Sequence, residues 1–224
     1  MKTKVVDSLP ILYSFRRCPY AMRARLSLYT AGIAVELREI LLKDKPPEML
    51  AISSKGTVPV LQLADGGVID ESIAVMEWAL AQHDPASWCA ADPVLTRTLI
   101  DENDNSFKAA LDRYKYFIRY PEQTQAEYRA QGEVFLQRLE SQLAAHDGRG
   151  LVRNSVSFAD TAIFPFIRQF AGVEPDWFAI CEYPLLRQWL NEQTTAPAFS
   201  YIMRKYPLWL ETRKSIIEQW KKTA

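Results

Sequence analysis

One cysteine occupies a position where backbone geometry can make a thiol nucleophilic. Cys18 follows a short apolar segment, residues 10–15, and directly precedes Pro19, a residue suited to the first turn of a helix. At a helix start the sulfur faces free backbone N–H groups and the positive end of the helix dipole, which favour thiolate over thiol. Arg16 and Arg17 add positive charge nearby. We therefore predict an activated nucleophile, the alternative being that Cys18 is a small buried apolar residue.

The cysteine pattern indicates monothiol chemistry. A dithiol oxidoreductase carries a second cysteine three residues after the first, and this chain has Ala21 there. Any disulfide chemistry of Cys18 must therefore take its second thiol from another molecule. Cys89 and Cys181 are distant in sequence, and three widely spaced cysteines favour free thiols in a reducing compartment, so we expect a cytoplasmic protein. Only two histidines are present and the cysteines lack zinc spacing, so we expect no metal site.

Composition excludes several classes of partner. The chain has 27 Lys and Arg against 27 Asp and Glu, whereas general nucleic-acid binding relies on a basic surface. No apolar run approaches the roughly 18 residues that a membrane-spanning helix requires. Hydrophobic residues make up 48% of the chain, which favours a packed globular protein over disorder. We expect neither nucleic-acid nor membrane partners.

The elements that position Cys18 alternate between strand and helix. A buried strand over residues 10–15 is followed by a helix with apolar residues at helical spacing, which Gly32 would end. Alternating residues from Val35 predict a second strand, and Pro46 and Pro47 can open a short helix. A third strand over residues 58–63, a hairpin turn and a helix from Ser72 complete the order βαβαββα. This order predicts a compact α/β domain over residues 1–82.

Strand signals disappear in the remainder of the chain. Residues 83–93 lack a clear period and are predicted to be an interdomain linker. The rest, residues 94–224, is predicted to form an all-helical domain. Its helices are expected over residues 94–117, 125–146, 158–170, 184–194 and 208–222. Ser157 and Asp160 have the spacing of a capping box. The predicted fold class is therefore multidomain, α/β plus all-α.

Several short motifs occur together in the first half. They are Cys-Pro-Tyr-Ala at residues 18–21, Thr-Val-Pro-Val-Leu at 57–61 and Asp-Glu-Ser at 70–72. In this order they resemble the N-terminal domain of the cytosolic glutathione S-transferase superfamily. Leu-Lys-Asp-Lys-Pro at 42–46 is similar to a stretch of the omega, or cysteine-type, class. The resemblance covers residues 11–78 and implies a thioredoxin-like domain followed by a helical bundle.

The resemblance implies glutathione as co-substrate and names the residues that would bind it. Pro59 would follow a cis peptide bond, so that Val58 could pair its backbone N–H and C=O with the cysteinyl part of glutathione. Glu71 and Ser72 would hold the amino-acid end of the γ-glutamyl group. Without the flanking motifs, Ser72 would be interpreted as a helix cap and Glu71 as a charge that complements the helix dipole.

Two further binding residues follow from the same resemblance. Lys45 would contact the glycyl carboxylate of glutathione, its alternative being a solvated surface charge. Tyr20 stands where the omega class commonly has phenylalanine, and would pack beside the ligand. A homodimer is also implied by the family.

A second-substrate site is implied between the domains. Phe107, Leu111 and Tyr114 recur at helical spacing and could form its wall, although core packing explains the same spacing. Trp209 and Trp220 are candidate aromatic residues that would cover this site.

The predicted function is glutathione-dependent thiol transfer through a mixed disulfide between Cys18 and glutathione. Reduction of dehydroascorbate or removal of glutathione from α-carbonyl adducts would use the same intermediate. One alternative is conjugation of glutathione to electrophiles, with its thiolate held by Tyr13, Ser14 or Tyr20. Another alternative is a non-catalytic binding or stress-regulatory protein with the transferase fold.

Overall fold

The computed structural model describes residues 8–214 and 216–220, which pack as two units. The first unit takes in the described residues up to Ala86 together with those from Ser200 onward. The second unit runs from Ser87 to Phe199. The chain therefore passes into the helical unit within the predicted linker, residues 83–93, and returns to the first unit near its C-terminal end.

The elements have the following bounds. The strands are β1 (Ile11–Ser14), β2 (Val35–Glu39), β3 (Val60–Gln62), β4 (Val68–Ile69) and β5 (Ile216–Glu218). The helices are α1 (Pro19–Ala31), α2 (Pro47–Ile52), α3 (Ser72–Gln82), α4 (Pro93–Glu102), α5 (Lys108–Lys115), α6 (Gln125–Ala145), α7 (Phe158–Ala171), α8 (Pro175–Ile180), α9 (Pro184–Thr195), α10 (Pro197–Ile202) and α11 (Trp209–Thr212). A π-helical segment, Asn103–Phe107, joins α4 to α5. None of the described helices is both long and apolar enough to cross a membrane.

The first unit has one mixed sheet in the order β4-β3-β1-β2-β5. Central strand β1 is parallel to β2 and antiparallel to β3, with Leu12 opposite Leu37 on one side and Leu61 on the other. The predicted order βαβαββα is confirmed by β1 to α3. Because β1 is central, its C-terminal end brings the following turn and Cys18 against the domain core.

Helix α1 begins and ends where the sequence predicts. Cys18 is the N-cap residue, with extended backbone angles φ −74° and ψ 124°, and Pro19 occupies the first helical position. Gly32 ends the helix in the left-handed region, at φ +70°, where glycine has no steric penalty. The thiol is therefore held at the first turn by a rigid helix.

The C-terminal segment differs from the prediction of a helix over residues 208–222. The structure has the short helix α11 and then β5, while residues 215, 221 and 222 lie outside the described residues. Strand β5 pairs antiparallel with β2, placing Ile216 opposite Leu37 and Glu218 opposite Val35. The backbone groups on the outer edge of β2 can thus bond to the sheet's fifth strand, an interaction that a helix could not supply. The described residues from Ser200 onward consequently pack with the α/β unit, whereas the sequence assigned them to the helical domain.

The second unit is helical and has an aromatic core. The rings of Phe107 and Phe135 lie 4.9 Å apart, and those of Tyr114 and Phe170 lie 4.7 Å apart. The predicted capping box at the start of α7 is confirmed. The Ser157 N–H donates to the Asp160 carboxylate at 2.9 Å, and the Asp160 N–H donates to the Ser157 hydroxyl at 3.4 Å.

Candidate functional site

Cys18 lies beside the peptide that precedes β3. Its Sγ atom is 3.8 Å from the carbonyl oxygen of Val58, and the Val58–Pro59 peptide bond is cis, as the resemblance implies. The Cys18 side chain also packs against a buried cluster that includes Tyr13 and Ala21. The structure thus brings Cys18 next to Val58 and Pro59, which lie about forty residues later in the sequence.

The environment of the thiol differs from the sequence expectation. Burial raises the pKa of Cys18, and this effect exceeds the lowering by backbone N–H groups of Ala21 and Tyr20 and by the charges of Arg25 and Arg23. The sequence correctly identified the helix start as a source of thiolate stabilisation. It could not show that the sulfur packs against the apolar core, which disfavours the charged form. The ligand-free thiol is therefore mainly protonated at neutral pH.

A buried ion pair lies beneath the turn that leads to Cys18. Glu39 accepts the backbone N–H of Arg16 at 2.6 Å, and the Arg25 guanidinium donates to the carbonyl oxygen of Arg16 at 2.7 Å. Arg25 also donates to the Ser14 hydroxyl at 2.8 Å. Burial lowers the pKa of Arg25 to about 10, although the Glu39 charge opposes this shift. At that value the guanidinium remains charged at neutral pH.

Ser72 is the first residue of α3, and Glu71 is its N-cap residue, so the prediction that Ser72 caps the helix is wrong. Glu71 has an extended backbone, and its carbonyl accepts the N–H of Val75 at 2.9 Å. The Ser72 hydroxyl instead accepts from Nε of Arg23 at 3.0 Å. The same guanidinium lies 5.0 Å from the ring centroid of Tyr20. Arg23 therefore links two predicted glutathione-binding residues, one on α1 and one on α3.

Glu71 is exposed and bonded to Lys55, which also contacts Asp70 at 3.2 Å. Asp70 accepts from the Ser53 hydroxyl at 2.8 Å. The hydrogen bond from Ser53 lowers the pKa of Asp70, and Lys55 contributes to this lowering although burial opposes it. An ammonium group thus already contacts the carboxylates at this position.

Lys45 precedes α2 and lies beside Gly56, which is in the segment between α2 and the cis peptide. Its ammonium nitrogen is 3.4 Å from the point where a β-carbon would stand on Gly56. Gly56 has a positive φ of 59°, a conformation that glycine adopts freely. The half-buried Lys45 is therefore placed by contact with this turn, and its role toward a ligand stays a prediction.

The alternative thiolate-holding residues are engaged elsewhere. Tyr13 is buried, and its hydroxyl accepts from Arg38 at 2.6 Å. Burial raises the pKa of Tyr13, although Arg38 opposes the shift. Ser14 is fully buried and bonded to Arg25. Tyr20 is half-buried, with its ring against Arg23.

The predicted second-substrate residues lie in different surroundings. Phe107, Leu111 and Tyr114 are 2%, 0% and 0% exposed within the helical unit, which favours the core-packing alternative. The Tyr114 hydroxyl donates to Glu174 at 2.8 Å. Trp209 lies in the first unit, where its ring centroid is 4.1 Å from the guanidinium carbon of Arg38. A second-substrate role for these four residues stays a prediction.

Four residues of this region were not predicted from the sequence: Arg23, Arg25, Glu39 and Lys55. Two signals could have indicated the buried pair. Arg25 lies seven residues after Cys18, which places both on one face of α1. Glu39 follows Val35 and Leu37 at the two-residue period of β2, so its carboxylate lies on the buried face of that strand. Lys55 carried no such signal, because its partners are defined only by the fold.

The chemistry available at this site is that of a single thiol surrounded by hydrogen-bonding groups. In the described part of the chain, Cys18, Cys89 and Cys181 form no disulfide. Across residues 8–214 and 216–220, no three His, Cys, Asp or Glu side chains cluster as metal ligands would. The thiol lies at the start of α1 beside the backbone of a cis proline, and Arg23 on α1 bonds to Ser72 at the start of α3. Such groups can bind an extended peptide-like anion beside a nucleophilic sulfur.

Comparison with known proteins extends these observations. Residues 12–87 match the family model described as Glutathione S-transferase, N-terminal domain, and residues 122–192 match its C-terminal domain. The chain is 26% identical to glutathione S-transferase omega-1 of Sus scrofa over 199 residues, covering 88% of this chain and 81% of the relative. A protein of Aplysia californica named as a probable glutathione transferase is 40% identical over 63 residues, covering 28% of this chain and 67% of the relative.

A solved structure has the same fold. The chain superposes on a glutathione transferase of Phanerochaete chrysosporium, solved in complex with oxidized glutathione, with a TM-score of 0.74 and 18% identity. The match covers 87% of this chain and 94% of the other. The match confirms the predicted fold class, a thioredoxin-like domain and a helical domain.

Proposed function

Because the chain belongs to the glutathione S-transferase family, we propose that it is a glutathione-dependent thiol transferase of the omega-like, cysteine type. One observation carries the proposal: Cys18 is the N-cap residue of α1, and its thiol lies 3.8 Å from the Val58 carbonyl of the cis Val58–Pro59 peptide. The relatives support it, since the matched mammalian protein is named as an omega-class transferase. Ala21 supports the monothiol form, because it stands where a second cysteine would resolve the disulfide internally.

The proposed reaction has two thiol–disulfide exchanges. Cys18 loses its proton, and the thiolate attacks the glutathionyl sulfur of a mixed disulfide. The Cys18–glutathione disulfide forms as the other thiolate leaves. A second glutathione thiolate then attacks the glutathionyl sulfur on Cys18, which leaves glutathione disulfide and regenerates the Cys18 thiolate. Together the two steps consume one mixed disulfide and one glutathione and release one thiol and one glutathione disulfide, while Cys18 is regenerated, so atoms and electrons balance.

The residues around Cys18 have proposed binding roles. Val58 would pair its backbone with the cysteinyl part of glutathione, and Pro59 would keep that edge in place. Ser72 and the start of α3 would bind the γ-glutamyl carboxylate, and Arg23 supplies positive charge there. Glu71 would bind the ligand's ammonium, which takes the place of Lys55.

Two further residues would complete the glutathione site. The Tyr20 ring would pack beside the ligand, and Lys45 would bind the glycyl carboxylate.

The test compares Cys18→Ser with Cys89→Ser, a matched change at an exposed cysteine that forms no disulfide. The assay measures reduction of the mixed disulfide of glutathione and 2-mercaptoethanol, coupled to glutathione reductase. We expect Cys18→Ser to fall to the uncatalysed rate because its hydroxyl is a poor nucleophile toward sulfur, and Cys89→Ser to retain activity. Full retention by Cys18→Ser would reject the proposal.

The same variants distinguish the alternatives. Conjugation with a tyrosine- or serine-held thiolate predicts that Cys18→Ser still joins glutathione to 1-chloro-2,4-dinitrobenzene. This alternative is disfavoured because Tyr13 and Ser14 are buried and their hydroxyls accept hydrogen bonds from Arg38 and Arg25. A non-catalytic binding protein predicts that the unaltered chain is inactive in both assays.

We also propose a cytoplasmic homodimer. The three described cysteines, Cys18, Cys89 and Cys181, form no disulfide, which fits a reducing compartment, and dimerisation is expected from the family. Sedimentation analysis measures the dimer directly, and a single species at the 25.7 kDa monomer mass would contradict it.

A further inference from the structure

In the turn between β1 and α1, the backbone N–H and C=O of Arg16 both bond to buried side chains. The Arg16 N–H donates to Glu39 at 2.6 Å, and the Arg16 carbonyl accepts from Arg25 at 2.7 Å. The Cys18 N–H then donates to the carbonyl of Phe15 at 3.0 Å, which closes the turn. The backbone position of Cys18 therefore depends on two side chains that do not touch its sulfur.

Stability alone does not account for this pair. Arg25 and Glu39 are 1% and 5% exposed, and their closest charged atoms are 3.9 Å apart. The cost of removing two charges from water commonly cancels their attraction, so apolar residues of similar volume stabilise a core equally well. What the charged pair supplies instead is directed hydrogen bonds to the Arg16 backbone and to the Ser14 hydroxyl.

The geometry suggests a role in catalysis that rests on the proposed function of Cys18. We propose that Arg25 and Glu39 are positioning residues, which clamp the Arg16 peptide groups and thereby present the Cys18 sulfur at the glutathione site. Arg25 lies two turns after Cys18 on the same face of α1, so the helix itself links the clamp to the thiol. The planar guanidinium of Arg25 donates to the Arg16 carbonyl and to the Ser14 hydroxyl at once. The ammonium of lysine is a point charge and cannot reproduce this fork.

Charge and positioning are separable by experiment. The charged groups that act on Cys18 are Arg25 and Arg23, both on α1. Arg25 in turn faces Glu39 on β2 and the hydroxyl of Tyr206 in the C-terminal segment. Arg25→Lys keeps the positive charge and removes the fork, so it changes position more than charge.

The test uses the full chain with Cys89 and Cys181 replaced by serine, so that only Cys18 reacts. The first readout is the pH midpoint of alkylation by iodoacetamide, which reports the thiolate population. The second is the rate at which oxidised glutathione modifies Cys18, followed by mass spectrometry. In that step the Cys18 thiolate attacks one sulfur, the Cys18–glutathione bond forms, and glutathione thiolate leaves.

We expect Arg25→Lys to slow glutathione modification by roughly ten- to hundredfold, the scale of a displaced reacting group, while the alkylation midpoint changes little. The matched control is Arg129→Lys in the helical unit, where Arg129 contacts Glu133 and Glu174. This control should leave both readouts unchanged. Modification of Arg25→Lys at the unaltered rate would overturn the proposal, as would an equal slowing in Arg129→Lys.

Glu39 offers an independent check should Arg25→Lys fail to fold. Glu39→Gln retains an oxygen that can accept the Arg16 N–H, whereas Glu39→Leu does not. Faster glutathione modification in Glu39→Gln than in Glu39→Leu supports the clamp, and an unaltered rate in folded Glu39→Leu overturns it. These rates report one chemical step at Cys18. They remain interpretable if Cys18→Ser retains turnover and the proposed function fails.

Discussion

At the residue scale, Cys18 is surrounded by groups that act on its thiol in opposite directions. Contact with the buried cluster disfavours a charged sulfur, while the start of α1 and two arginines favour it. Burial has the larger effect, so the pKa lies above its usual value. A thiol of this kind is less ionised at neutral pH, but its thiolate is intrinsically more nucleophilic once formed. Its reactivity is therefore governed by pH.

The pKa direction gives a testable pH dependence. A raised pKa means that the reactive thiolate accumulates only as pH rises through that pKa. We expect iodoacetamide alkylation of Cys18 to keep increasing beyond about pH 8.5, the usual midpoint of a free cysteine. The measurement is the alkylation rate between pH 6 and 10 in a chain without Cys89 and Cys181. A plateau already reached at pH 7 would show that helix and arginines dominate over burial.

At the element scale, two capping boxes differ in their degree of burial. Ser157 and Asp160 open α7 with both side chains buried, and the Asp160 carboxylate also accepts from Trp189 at 2.8 Å and from the Leu151 N–H at 3.0 Å. Thr124 and Glu127 open α6 by the same exchange of hydrogen bonds at the surface. Asp160 therefore joins a helix start to α9 and to the preceding loop, whereas the surface box stabilises its own helix.

Because of this difference in burial, we expect unequal losses of stability when the carboxylate residue of each capping box is replaced by alanine. Asp160→Ala leaves buried donors of Trp189, Leu151 and Ser157 without their acceptor, so we expect a loss of about 3 kcal/mol or more in unfolding free energy. Glu127→Ala removes an exposed cap contact and should cost about 1 kcal/mol or less. Urea unfolding of the two variants measures both values. Equal losses would contradict the coupling role of Asp160.

At the scale of the whole molecule, the described chain from Ser200 onward belongs to the α/β unit. Strand β5 extends the sheet beside β2, and Tyr206 donates to Glu218 at 2.6 Å. Trp220 is 3% exposed, packs between the rings of Tyr29 and Tyr201, and donates to a backbone carbonyl. A segment that follows the helical unit in sequence thus completes the first unit.

Trp220 and Ile217 provide a matched test of that packing. Trp220→Ala removes a buried ring and should cost about 3–5 kcal/mol, which lowers the melting temperature by roughly 10 °C. Ile217 lies three residues earlier, on β5, and is 48% exposed. Ile217→Ala should therefore change stability by about 0.5 kcal/mol or less. Thermal unfolding followed by circular dichroism compares the two. A Trp220→Ala chain as stable as Ile217→Ala would indicate that the C-terminal segment adds little to the unit.

Local patterns in the sequence determined several features of this protein. Four predicted features depend on residues close together in the chain, and each is present in the structure. They are the helix start at Cys18, its end at Gly32, the order βαβαββα and the Ser157–Asp160 capping box. The motif resemblance added the cis Val58–Pro59 peptide.

Only the tertiary structure decided the rest. The pKa of Cys18 is raised by burial, which depends on the packing of the chain. Separate segments are also joined by the clamp of Arg25 and Glu39 on Arg16 and by the bond from Arg23 to Ser72. The same holds for β5, whose isoleucines fit a helix or a strand equally well until the open edge of β2 is available for pairing. Burial and pairing are properties of the packed chain, because they depend on which distant groups replace water around a residue.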